Sequence, residues 1–171
     1  GEDIRTLGRN EYAQKIGYVS QHSQFNRITV FDAVLLGRKP YIRWDATRED
    51  LHIVEEIMEE MGLADFALRF VDELSGGELQ KVTIARALAQ QPDILMFDEP
   101  TSNLDLKNQL EVAGIIKKIV KERQISAIVT MHDLNLALRF ADTFLMVKDG
   151  CVYKAGDISI ITPESIMDVY A

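Results

Sequence analysis

The sequence predicts an α/β fold with a mainly parallel sheet and a separate helical segment, and three observations carry that prediction. After Pro92, short apolar runs alternate with helical stretches: strand 94–97, helix 106–122, strand 125–130, helix 134–141 and strand 144–147. Such alternation implies parallel strands joined by right-handed crossovers. The run Ile94-Leu95-Met96-Phe97 shows no polar alternation, as expected of a strand covered on both faces. Between residues 30 and 90, by contrast, the pattern is mainly helical.

Taken in order, residues 1–20 are polar with short apolar pieces, and Lys15 to Ser20 has the aromatic and β-branched content of a strand that ends at Gln21. A short helix follows over 29–36. It stops at Gly37 before Arg38-Lys39-Pro40, since proline excludes helical geometry at the residue ahead of it. Tyr41-Ile42-Arg43-Trp44 is an aromatic-rich connector. Thr47-Arg48-Glu49-Asp50 then has the form of a capping box with Asp in the usual Glu place. It opens a helix with Leu51, Val54, Ile57, Met58 and Met61 on one stripe, and Gly62 ends that helix.

A turn at Ala64-Asp65-Phe66-Ala67 leads to Leu74-Ser75-Gly76-Gly77-Glu78, and a helix is expected over 78–90. In the helix expected over 134–141, Leu134, Ala137, Leu138 and Ala141 share one face, the face to be laid on the sheet. Asp149-Gly150 between two apolar runs predicts a two-residue hairpin. Thr162-Pro163-Glu164 supplies an N-cap, an N1 proline and an N-terminal acid for a closing helix up to Tyr170. The chain thus reads as 1–29 and 91–171 of an α/β core with 30–90 as a helical subdomain, without repeats or low-complexity stretches.

The 171 residues are 47% hydrophobic and 27% charged, an ordinary globular balance. The net charge of −8 argues against a non-specific nucleic-acid or anionic-membrane surface. Cys151 stands alone, which excludes an intramolecular disulfide and makes it a small buried hydrophobe by expectation. No apolar run approaches the roughly 18 to 20 residues of a membrane-spanning helix, and Gly1-Glu2-Asp3-Ile4-Arg5 carries no signal-peptide pattern. A soluble or peripheral protein is expected.

Two stretches carry chemistry. Ser75 is a good N-cap, and Gly76 and Gly77 let a helix N-terminus approach an anion closely. The apolar strand 94–97 ends abruptly in Asp98 and Glu99, at the carboxyl end where open α/β sheets place their ligands. A metal and a water suit that position.

Together, Gln21 closing a strand, the Leu74–Glu78 loop, Asp98-Glu99, Ser102-Asn103-Leu104-Asp105 and His132 closing another strand resemble the ATP-binding-cassette (ABC) ATPases, in the same order and over essentially the whole chain. The resemblance implies a P-loop NTPase domain with a helical signature subdomain, and ATP and Mg²⁺ as cofactors. It implies that Asp98 holds Mg²⁺ through water, that Glu99 is the general base toward the attacking water, that Gln21 joins the Mg²⁺ and water shell, and that His132 contacts the γ-phosphate. Ser75, Gly76, Gly77 and Glu78 would meet ATP held by a second ATPase subunit in a two-fold dimer, with Asp105 on the same interface. His22 and His52 read as surface or packing residues.

A finer resemblance, resting on Leu35 to Tyr41, Gln80-Lys81-Val82, Leu104 to Gln109 and His132 to Ala137, points to the ATPase subunits of importers for iron–siderophore, haem and cobalamin complexes. It implies transmembrane permease subunits as partners, a peripheral place at the cytoplasmic face of the membrane, and no nucleic acid. The connector from Arg38 to Trp44 either receives a permease helix or packs the helical subdomain.

Nothing in the sequence matches Gly-x-x-x-x-Gly-Lys-[Ser/Thr], the loop that wraps nucleotide phosphates. The opening reads as mid-domain sequence, so a truncated cassette, deficient in ATP binding and catalytically inactive by itself, is the expectation. Two other readings remain open at this stage: a non-transport ABC protein acting on ribosomes or DNA, and a binding fragment without turnover.

Overall fold

A computed structural model describes residues 3–21, 27–102 and 104–170. His22 and Asn103, both singled out above, lie outside the described residues. The chain divides into two compact units, 1–132 and 133–171.

In the first unit, β1 (Ile16–Val19), β2 (Ile94–Asp98) and β3 (Ser126–Thr130) form a parallel sheet in the order β1-β2-β3. The register aligns Val19 with Phe97 and Phe97 with Val129, and it sets Asp98 beside Thr130. Side chains alternate across the pleat. Val19, Leu95 and Phe97 therefore enter the core, while Tyr18 and Ile128 face outward, with Met96 half-buried between them.

The helices of this unit are α1 (Arg9–Lys15), α2 (Val30–Leu35), α3 (Arg48–Glu60), α4 (Gly76–Ala89) and α5 (Leu106–Arg123). Sequence reading missed α1, whose residues carry no buried position and hence no apolar stripe. Its start is fixed locally, where Glu11 Oε2 accepts the Gly8 N–H at 2.9 Å. Thr29 caps α2 by accepting the Asp32 N–H at 3.1 Å. The chain then tightens into a 3₁₀ turn, Leu36–Arg38, in place of a clean stop at Gly37.

The capping box at Thr47 and Asp50 forms as expected, and Val54, Ile57, Met58 and Met61 are buried, with Leu51 half-buried. Gly62 ends α3 with φ at +66°, a left-handed conformation that glycine adopts without a Cβ penalty. His52 lies on the solvent side of α3, with Nε2 3.3 Å from Glu56.

Helix α4 is the centre of the helical segment and buries Val82, Ile84, Ala85, Leu88 and Ala89. Its C-terminal carbonyls are met by the connector. Arg38 Nη1 donates to Ala89 O at 2.9 Å, and the Tyr41 hydroxyl donates to Gln90 O at 2.8 Å. The Arg38 guanidinium lies 4.0 Å from the Tyr41 ring centre, and its Nε donates to Asp50 Oδ1 at 2.9 Å with both side chains about 5% exposed. A buried cation at a helix C-terminus also meets the favourable end of the helix dipole. Arg38 and Tyr41 thus pack the helical segment, whereas Trp44 is 94% exposed.

In the second unit, α6 (Leu134–Phe140) is capped by Asp133, β4 (Phe144–Lys148) pairs with β5 (Cys151–Gly156) as an antiparallel ribbon, and α7 (Pro163–Tyr170) closes the chain. Strand β4 belongs to this ribbon and not to the parallel sheet expected from alternation. Asp149 and Gly150 both have positive φ, 52° and 74°, as a type I′ hairpin turn requires.

Two further expectations need correction in this unit. Cys151 is exposed, because among the described residues β5 pairs only with β4 in a two-stranded ribbon and its residues from Cys151 to Ala155 are all exposed. The stripe on α6 is displaced: Leu136 is the buried residue, Leu134, Ala137 and Leu138 are half-buried, and Ala141 is exposed. Ala141 falls outside the stripe because the chain is already extended there, with ψ at 144°. Thr162 caps α7 as expected, accepting the Ser165 N–H at 3.1 Å.

Candidate active site

The parallel register brings three strand ends to one edge of the sheet. Asp98 is the last residue of β2, Thr130 the last of β3, and Gln21 and His132 lie two residues beyond β1 and β3. Glu99 follows β2 in a left-handed conformation, φ 48°, which is uncommon for a residue with a Cβ. Its backbone is held on both sides. The Glu99 N–H donates to Thr130 Oγ1 at 2.9 Å, and its carbonyl accepts from the Ser102 hydroxyl at 2.8 Å and the Ser102 N–H at 3.1 Å.

The Glu99 carboxylate is flanked by two of the residues singled out in the sequence. Gln21 Nε2 donates to Glu99 Oε2 at 2.9 Å and to Ser102 Oγ at 3.2 Å. His132 Nε2 lies against Glu99 Oε1, an ion pair whenever the imidazole is protonated. Glu99 is largely buried at its side chain and His132 largely open. One carboxylate thus carries an amide on one oxygen and an imidazole on the other, an arrangement able to hold and orient a small polar reactant such as water.

Asp98 has a separate set of partners. Thr130 Oγ1 donates to Oδ1 at 2.9 Å, and the Tyr18 hydroxyl donates to Oδ2 at 3.2 Å. The carboxylate, through that hydrogen bond first and its charge after, makes the Tyr18 phenol harder to ionise. Sequence reading did not select Tyr18 or Thr130. Their role depends on which residues the register sets beside Asp98, which no local pattern reveals, although strand alternation places both on the Asp98 face once the pairing is known.

The glycine loop forms a second group. Ser75 caps α4 reciprocally: Glu78 Oε2 accepts the Ser75 N–H at 2.8 Å and its hydroxyl at 2.6 Å. These bonds hold the Glu78 carboxyl below its usual range. Gly77 packs against α5, where an added Cβ would stand 2.7 Å from Asn108 Oδ1. Asn108 is in turn tied to Asp105, the α5 N-cap, through its N–H and its Nδ2, both at 2.9 Å. Lys81 and Glu111, 2.6 Å apart, bridge the same two helices. Asp105 therefore joins Ser75, Gly76, Gly77 and Glu78 structurally, and among the described residues no hydrogen bond or ion pair joins this group to the Asp98 and Glu99 cluster.

Among the described residues no cluster of three or more His, Cys, Asp or Glu side chains has the form of a metal cage. Asp98 with Gln21 is nevertheless a set suited to magnesium, which takes one or two protein oxygens and keeps waters. Each Asp98 oxygen accepts one hydroxyl and retains a lone pair, and Gln21 uses its Nε2 on Glu99 and Ser102, so Oε1 is the Gln21 atom that would face an ion. No helix among the described residues is long and apolar enough to cross a membrane.

Several known proteins are similar to the chain as a whole. A family model described as "ABC transporter" matches residues 1–102. An uncharacterised ABC transporter ATP-binding protein of Methanocaldococcus jannaschii is 56% identical over 168 residues, covering 98% of this chain and 66% of that protein. A cobalamin import ATP-binding protein of Halobacterium salinarum is 36% identical, over 97% of this chain and 42% of its own length. Among solved structures, an inward-facing ABC transporter described as of the metal-chelate type superposes with a TM-score of 0.85 at 29% identity, covering 91% of this chain and 64% of that one. The chain thus spans between two fifths and two thirds of the length of these proteins. With a model match over more than half of its residues and the α/β cassette fold in common, the chain belongs to the ABC transporter family.

Proposed function

We propose that this chain is part of the ATPase subunit of an importer that couples ATP hydrolysis to uptake of a metal chelate or a cobalamin. The observation that carries the proposal is the Glu99 carboxylate at the end of β2, flanked by Gln21 and His132. In this reading Glu99 accepts a proton from the attacking water, while Gln21 and His132 hold that water and the terminal phosphate in line. Asp98 and Gln21 Oε1 would hold Mg²⁺, largely through water, and the bound ion would offset the charge on the phosphates. Ser75, Gly76, Gly77 and Glu78, with Asp105, would face a nucleotide on a second copy of the subunit in a two-fold dimer. The helical subdomain 30–90 would face transmembrane permease subunits, so that the protein acts peripherally at the cytoplasmic face.

The cargo class is supported by the cobalamin importer and the metal-chelate transporter among the similar proteins. None of the 171 residues matches the glycine–lysine loop that wraps phosphates, so the isolated chain is proposed to bind ATP poorly and to turn it over negligibly. Two measurements test the reading. In the natural protein, Glu99→Gln should lower ATP turnover by roughly 10²-fold or more while nucleotide still binds; unchanged turnover would remove Glu99 from the chemistry. Titrating the isolated 171 residues with a fluorescent ATP analogue and Mg²⁺ should give no micromolar binding, and micromolar affinity would sink the proposed deficiency.

A further inference from the structure

We infer that Thr130 is a positioning residue that sets both acids of the site at once; the inference rests on the ATPase reading above. Its hydroxyl sits between two consecutive residues of the neighbouring strand end. As donor it reaches Asp98 Oδ1 at 2.9 Å, and as acceptor it takes the Glu99 N–H at 2.9 Å. A hydroxyl has one proton, and the alternative acceptor, Phe97 O, is 3.5 Å away and uncharged, so the proton goes to the carboxylate.

Both bonds act on features that the chain would not adopt unaided. The Glu99 N–H belongs to a residue with φ 48°, a conformation that persists only where surrounding bonds determine it. Thr130 holds this residue from the amide side and Ser102 holds it from the carbonyl side. With the backbone fixed, the Glu99 side chain projects to Gln21 and His132. The bond to Asp98 orients the neighbouring carboxylate, together with Tyr18 on its other oxygen. The register Asp98 beside Thr130 makes this bridge possible, because a threonine one residue earlier or later would face the opposite side of the sheet.

The function of Thr130 is separable from folding. The residue is exposed, and valine matches its shape and favours a strand, so Thr130→Val removes the hydroxyl without a core defect. In the natural protein, Thr130→Val should lower kcat for ATP about 10- to 100-fold, as loss of a supporting hydrogen bond does at a metal-dependent site. The KM should stay within about two-fold, since the lost interaction orients reacting groups and not the bulk of the nucleotide. Thr130→Ser restores the hydroxyl and should recover most of the lost turnover. Independently of activity, amide hydrogen exchange at Glu99 should be faster in Thr130→Val than in Thr130→Ser, which keeps the acceptor.

Turnover by Thr130→Val equal to that of the unmodified protein would overturn the inference. So would a Thr130→Ser variant as slow as Thr130→Val, or a Glu99 amide equally protected in both. If the unmodified protein hydrolyses no ATP, the functional reading fails, and the Glu99 amide alone then decides the role of Thr130.

Discussion

The backbone of Gly37 crosses α4 at Arg86 so closely that a Cβ on Gly37 would stand 2.0 Å from the Arg86 carbonyl oxygen. The obstacle is helix backbone, which cannot swing aside as a long side chain can. Gly37→Ala should therefore push the 3₁₀ turn away from α4 and cost roughly 1–3 kcal/mol, as overpacking does. Chemical denaturation of Gly37→Ala against the unmodified chain measures it, and a cost under about 0.5 kcal/mol, the range of an ordinary surface change, would mean the crossing can relax.

The buried pair Arg38 and Asp50 predicts an asymmetric response. Removing one partner leaves an uncompensated buried charge, so Asp50→Ala should destabilise the chain by roughly 3–5 kcal/mol. Replacing both, Arg38→Met with Asp50→Leu, should recover much of that loss in the same denaturation measurement. Equal losses in the single and double variants would show that the arginine acts mainly through Ala89 and Gln91, its other partners.

Asp50 also sets a pH dependence. Burial raises the pKa of Asp50, but bonds from the Thr47 hydroxyl and N–H and from Arg38 outweigh it, so the folded carboxyl lies below its ordinary value of 3.8. A depressed folded value means that the contribution to stability is complete above 3.8 and is lost as the pH falls through the lower folded value. Urea midpoints at successive pH values should fall less steeply below 3.8 in the double variant than in the unmodified chain. Parallel profiles would assign acid sensitivity to other carboxylates.

At the glycine loop, Ser75→Ala removes the reciprocal cap and should cost about 1 kcal/mol. Gly77→Ala acts differently, because its Cβ meets the tip of Asn108, a side chain able to rotate. Rotation of Asn108 breaks its Nδ2 bond to Asp105 and leaves the backbone cap bond in place, so this variant should release the Asn108 side chain at small cost to global stability. The Asn108 side-chain amide signals in NMR spectra report that release, and unchanged signals would count against it.

Much of this was legible in the sequence wherever local chemistry decides the outcome. The Ile94-Leu95-Met96-Phe97 run, the Thr47 and Ser75 caps, Gly62 and the Asp149-Gly150 turn each state their own conformation, and all formed. The grouping of Gln21, Glu99 and His132 was legible only through family resemblance, since residues so far apart in sequence meet through the register of a parallel sheet. What escaped depends on neighbours. Tyr18 and Thr130 gain their roles from the strand beside them, α1 has no apolar stripe to announce it, and Gln124 ends α5 in a left-handed conformation with no glycine to signal it. Cys151 failed for a similar reason, because exposure of a hairpin strand depends on what covers it.

The alternation along β2 carries one more consequence. Leu95 and Phe97 are sealed in the core while Met96 and Asp98 lie on the opposite face, so packing and chemistry read out the same odd and even positions. Inserting or deleting one residue just after Ile94 would turn Asp98 onto the core face and Phe97 onto the half-buried face. Losing the chemistry and losing the core are then a single event. A one-residue slip in this strand therefore leaves no version of the fold in which the core is intact and only the carboxylates are displaced.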